Sequence, residues 1–90
     1  MDKKLKKQIR SDFGAFLKKH REEVLKAENL LQFSYSTVFD NSKLAKIEKG
    51  KISIEFDTLI EIASAYQLTH HGILGFYPTF PKNEEAKEIG

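Results

Sequence analysis

Asn41, Ser42, Lys43, Lys46, Lys49 and Lys51 are the side chains whose types and spacing carry the most specific chemistry in this sequence. Asn and Ser are short donors and acceptors that can read base edges, and Lys reaches bases or phosphates. No catalytic set accompanies them. The sequence has no Cys, no Ser/His/Asp or Cys/His arrangement and no glycine-rich phosphate cradle, so no enzymatic activity is expected. His70 and His71 invite a metal reading, but adjacent side chains on a helix diverge. With His20 far off and no carboxylate or thiolate to complete a set, no metal and no cofactor is expected. The plain reading of these histidines is pH-sensitive capping.

Such polar residues need a rigid support, and the sequence marks both ends of one. Asp40 is an N-cap residue whose carboxylate can accept from free amides of a first helical turn. Phe39 and Leu44 have the spacing of a hydrophobic staple. Gly50 stands where a left-handed C-terminal residue is wanted. Leu44 and Ile47 give a narrow apolar stripe between the caps. The spacing predicts a helix over about 40–49, anchored by two apolar residues, with a small, basic, polar outer face. That suits the DNA major groove, about 12 Å wide and able to admit one helix. It also suits an ordinary amphipathic helix with a solvated basic face.

Ninety residues imply one domain. Forty per cent hydrophobic and 31% charged residues imply a chain that is mostly globular. The longest apolar runs are only a few residues, so no membrane partner is expected. The charged N-terminus has no apolar region after it, so it does not read as a signal peptide, and the cytoplasm is the expected location. Net charge is +2 but unevenly placed: residues 1–51 sum to +6 and residues 52–90 to −4. A basic half containing the polar helix points to a polyanion; a dipolar but inert surface is the alternative.

Along the chain, Leu5, Ile9, Phe13, Phe16 and Leu17 recur at near-helical spacing and predict a helix from about 3 to 24. Its basic first turns, with Lys3, Lys4, Lys6, Lys7 and Arg10, read as an arm for phosphate or a partner subunit, or as a frayed, solubilising end. Residues 27–34 read as a second helix burying Leu30, Leu31 and Phe33. Tyr35 to Val38, β-branched and rich in hydroxyls, reads as a turn. Ser53 can cap a fourth helix over 54–67 that buries Phe56, Leu59, Ile60, Ala63 and Tyr66 and turns Glu55, Asp57 and Glu61 outward. Thr69 can cap a fifth over 70–74. Phe76 to Pro81 cannot be regular helix and reads as a flap over the core or an oligomer contact. Residues 82–90 read as a loose charged tail.

This order, with a turn leading into a basic third helix, is a helix-turn-helix arrangement. The residues resemble the Cro- and XRE-type helix-turn-helix family, the lambda repressor-like domains. Phe13-Gly14 with Leu17 and Arg21 is similar to the opening helix of that family. Leu44 to Lys51 resembles its Ile-Ser-x-Ile-Glu-x-Gly-Lys signature, and Phe56 to Tyr66 its fourth helix. Thr69 to Leu74 resembles its closing helix. Several positions depart from the pattern. His20 stands for an apolar residue, Tyr66 for Leu, Ile54 for Pro, Gln67 for Gly and Ala27 for the Gln that ties helices to phosphate. Arg21 and Glu48 are 27 positions apart, about two more than is usual, and the excess falls in 33–39.

The resemblance implies an all-α, five-helix lambda repressor-like fold. Residues 1–12 would be a basic extension of helix 1, 13–75 the helix-turn-helix domain, and 76–90 an aromatic segment and charged tail. It implies a structural ion pair between Arg21 and Glu48. It implies double-stranded DNA as partner, with Asn41, Ser42 and Lys43 at bases, Lys46 at a base or phosphate, and Lys49 and Lys51 at phosphates. The expected function is a sequence-specific transcriptional regulator, acting as a homodimer through Phe76 to Phe80, with no small-molecule substrate. The alternative is a protein-interaction module of the same fold, antitoxin-like or an adaptor. The widened turn and the missing Gln favour it.

Overall fold

Asp2 starts the first helix by accepting the Lys4 amide on its carboxylate at 2.7 Å. The computed structural model describes residues 1–68 and Gly72, and these are all-α, with four helices and no strand among them. Helix α1, Lys3–Lys19, runs on into a wider π turn, His20–Val24. Lys26 then turns left-handed at φ 58°, and the Ala27 amide donates back to the Arg21 carbonyl at 2.9 Å. Leu5 and Ile9 of the apolar spacing are about half exposed, whereas Leu17 is fully buried.

Helix α2 is shorter than the sequence suggests, Leu30–Ser34, capped by Asn29. The reason lies in Arg21: its Nη1 donates to the carbonyls of Ala27 and Glu28 at 2.7 and 3.0 Å. Those bonds tie residues 27 and 28 to Arg21, and Asn29, in an extended conformation at ψ 112°, caps the helix that starts after them. A five-residue helix offers a single inner face. Phe33 and half-buried Leu30 occupy it, and Leu31 is exposed.

Hydroxyls order the turn that follows. Ser34 and Ser36 Oγ donate to the carbonyls of Leu31 and Phe33, and Thr37 Oγ1 accepts the Phe39 amide at 3.0 Å. Helix α3 is Asn41–Glu48; Asp40 accepts the Lys43 amide at 2.7 Å. It ends on Gly50 at φ 69°, with Lys51 N bonded to Lys46 O at 2.9 Å.

Helix α4, Phe56–Ala65, begins two residues after the expected start. Glu55 is its cap position and makes no side-chain bond there; Ser53 lies too far back to serve. Phe56 is therefore the first helical residue and is 61% exposed. Ile62, Ala63 and Tyr66, with half-buried Leu59, form the inner stripe, and Glu55, Asp57 and Glu61 face out.

Leu17, Leu44, Ile47, Ile62 and Tyr66 are at most 1% exposed and hold the core together. Burying each aliphatic side chain among them contributes about 1.5–3 kcal/mol. Helices α1 and α3 cross at Gly14, where any Cβ would collide with the carbonyls of Ile47 and Glu48. Helix α2 packs on α3. Helix α4 reaches them through Tyr66, whose ring centre lies 4.9 Å from that of Phe33. The expected fifth helix, the aromatic segment 76–80 and the charged tail lie outside the described residues. Among the described residues no helix is long and apolar enough to cross a membrane.

Candidate nucleic-acid interface

Leu44, Ile47 and Glu48 form the inner face of α3, and its remaining polar and basic residues turn outward. Asn41, Ser42, Lys43, Lys46, Lys49 and Lys51 are all exposed. They lie along an eight-residue helix, about 12 Å long at 1.5 Å per residue, and the loop after it. Lys43 Nζ sits 5.7 Å from the centre of the Phe39 ring, an arrangement that steadies the ammonium near the start of the helix. A small hollow of about 280 Å³ lies between Asp40, Ser42, Lys43, Lys46 and Ile52. Ile52 supplies an apolar wall there, in contrast to its polar rim.

Four lysines on this surface meet one exposed carboxylate, Asp40, which is engaged in capping. The other acid of α3, Glu48, is turned inward and paired. Arg21 Nε and Nη2 donate to Glu48 Oε2 and Oε1 at 2.8 and 2.9 Å, a two-pronged bond between side chains that are 3% and 5% exposed. Glu48 therefore does not offset the basic outer face.

Tyr66 completes this network and is not evident from the sequence. Its hydroxyl donates to Glu48 Oε2 at 2.6 Å. Burial, and then the bond to Glu48, push the hydroxyl far above its ordinary pKa. The Arg21 pKa is raised too, chiefly by its bond to Glu48, against the opposing effect of burial. His20, 7% exposed, places Nε2 3.0 Å from the Tyr66 carbonyl at the end of α4. His20 and Tyr66 were two separate departures from an apolar pattern, and the structure joins them. That coincidence was the one available signal.

The network fixes the pose of α3. Arg21 belongs to the π turn after α1, Glu48 to α3 and Tyr66 to the end of α4, so three elements meet at one carboxylate. Gly50 adds a contact at the C-terminal end of α3. A Cβ there would lie 2.5 Å from Ser11 Cα and 2.8 Å from the Arg10 carbonyl carbon, so only glycine lets the loop lie on α1. Tyr35 and Val38, in the turn beside α3, are each 75% exposed. Comparison with known family models, with curated proteins and with solved structures finds no match to this chain.

Proposed function

We propose that the chain is a sequence-specific DNA-binding regulator of transcription, acting in the cytoplasm, with a five-helix lambda repressor-like fold. Helix α3 enters the major groove. Asn41, Ser42 and Lys43 reach base edges, Lys46 a base or phosphate, and Lys49 and Lys51 the backbone. The observation that carries this reading is the two-sided character of α3. Its inner face is locked by Leu44, Ile47 and the Arg21–Glu48–Tyr66 network, while every polar or basic residue named is exposed. A rigid helix loses little freedom on docking, which favours binding. One such helix covers few bases, so a two-fold homodimer on a palindrome, with half-sites about 34 Å apart, fits the reading.

The test is selection from a random duplex pool at two salt concentrations. The expected result is an enriched palindrome with steep salt dependence. Lys49→Ala and Lys51→Ala should each weaken all sequences alike and reduce the salt slope by about one. Asn41→Ala should instead relax preference at one position, by ~1–3 kcal/mol. Binding without an enriched motif would refute sequence-specific readout. It would favour the second reading, a protein-interaction module, for which exposed Tyr35 and Val38 beside α3 are the supporting observation.

A further inference from the structure

Ile52 is an apolar residue set beside a polar, basic surface, and the DNA reading of α3 makes no use of it. The loop holds it in place. Gly50 lets the chain lie on α1, and the Lys51 amide, bonded to the Lys46 carbonyl at 2.9 Å, closes the end of the helix just before Ile52. Ile52 is half-buried and packs against the core. It also walls the hollow of about 280 Å³ whose other lining residues are Asp40, Ser42, Lys43 and Lys46. An isoleucine anchored by the core therefore borders the same space as three exposed polar or basic residues of α3 and the cap before them.

The lining narrows what can dock there. Lys43, Lys46 and the Ser42 hydroxyl offer donors. Asp40 adds a carboxylate, of which Oδ1 takes the Lys43 amide. A backbone phosphate would suit the two lysines, but the Asp40 charge repels it and the Ile52 wall gives it nothing. The major-groove edge of a T·A pair suits all three features. Thymine O4 accepts from an ammonium, the adenine N6 amino group can donate to a carboxylate, and the C5-methyl is the apolar group that meets an apolar wall. A C·G pair presents no methyl. The hollow is several times the ~30 Å³ that one water takes up in the liquid, so it has room for the edge of a base.

We infer that Ile52 is a specificity-determining residue whose side chain meets the C5-methyl of one thymine of the bound site, beside Lys43 and Lys46 at that base edge. The inference deepens the DNA reading of α3 and rests on it. It adds to that reading a residue from the loop after the helix, and a preference set by apolar contact where the α3 side chains act by hydrogen bonds and charge. Because the core anchors Ile52, the wall is formed before DNA arrives, and little freedom is lost when the methyl docks on it.

The probe is the duplex most enriched from the random pool, with each thymine in turn replaced by deoxyuridine, which lacks the C5-methyl and keeps every base-pairing group. Fluorescence anisotropy compares the affinity of the full chain for the thymine and uracil duplexes. At one position the uracil duplex is expected to bind about fourfold more weakly, the effect of burying one methyl-sized group. Ile52→Ala and Ile52→Asn should each bring that ratio to about one and leave any other uracil-sensitive position unchanged. Ile52 also packs against the core, so these variants can lose stability; the ratio compares two duplexes on one protein, and a lower folded fraction cancels from it. Lys49→Ala should weaken both duplexes alike and leave the ratio at about four. An enriched motif with no uracil-sensitive thymine, or a ratio that survives both substitutions of Ile52, would overturn the inference and leave the DNA reading standing. A pool with no enriched motif would overturn the DNA reading and this inference with it.

Discussion

Glu48→Ala is expected to be strongly destabilising, though it touches none of the exposed residues of α3. It removes the acceptor for Arg21 Nε and Nη2 and for the Tyr66 hydroxyl. The Arg21 side chain is only 3% exposed, so water does not readily replace the carboxylate. Removing one partner of a buried pair costs ~3–5 kcal/mol. Arg21 keeps the carbonyls of Ala27 and Glu28, which puts the cost near the lower end. A domain of this size has roughly 5–13 kcal/mol of total stability. The change therefore removes a large share of it, and the midpoint should fall by on the order of 10–20 °C. Urea and thermal unfolding followed by circular dichroism measure this. On the proposed function, DNA binding should fall only as far as the folded fraction does, and recover on cooling. A loss below ~1 kcal/mol with an unchanged urea slope would refute the reasoning, because the guanidinium would then have found another partner.

Three further outcomes follow from the packing and the backbone. Gly14→Ala should destabilise by ~1–3 kcal/mol, because the added methyl meets the backbone of α3, which cannot swing aside as a side chain could. Gln67→Gly should stabilise by up to ~1 kcal/mol, since Gln67 holds φ 55° at the end of α4, a conformation glycine adopts without strain; urea midpoints measure both. The raised pKa of Tyr66 sets an alkaline limit. The neutral hydroxyl is favoured in the fold, so its contribution is fully present below the unfolded tyrosine value of about 10. It is lost as pH rises from there toward the higher folded value, by about 1.4 kcal/mol per unit. Tyr66→Phe should flatten stability over that window relative to wild type, and equal slopes would contradict the assignment.

What the sequence made legible was whatever repeats or caps locally. The ends of α3 could be read because Asp40 and Gly50 act on backbone groups within a few residues of themselves. Its buried face could be read because Leu44 and Ile47 have the helical spacing. The start of α2 could not be, because a distant guanidinium holds the residues before it: Arg21 donates to the carbonyls of Ala27 and Glu28, where the expected helix would have begun. Phe56 misled for a related reason. Apolar periodicity places a residue on a face but does not say where along the axis the core ends, and Phe56 falls beyond that end.

Glycines show the same division between local and distant causes. Gly50 and Gln67 both take a left-handed turn after a helix, at φ 69° and 55°. Backbone conformation alone would ask for glycine at both. The difference is what each would touch. A Cβ at 50 runs into the backbone of Arg10 and Ser11. At 67 the chain already accommodates a full side chain, which is exposed. The left-handed strain at 67 is a cost the fold can bear, but the collision at 50 would push the loop carrying Lys49 and Lys51 off α1. Gly50→Ala is therefore expected to cost more stability than the reverse change, Gln67→Gly, gains. Equal and opposite effects in urea unfolding would mean that φ alone governs both sites and that the contact with α1 contributes nothing.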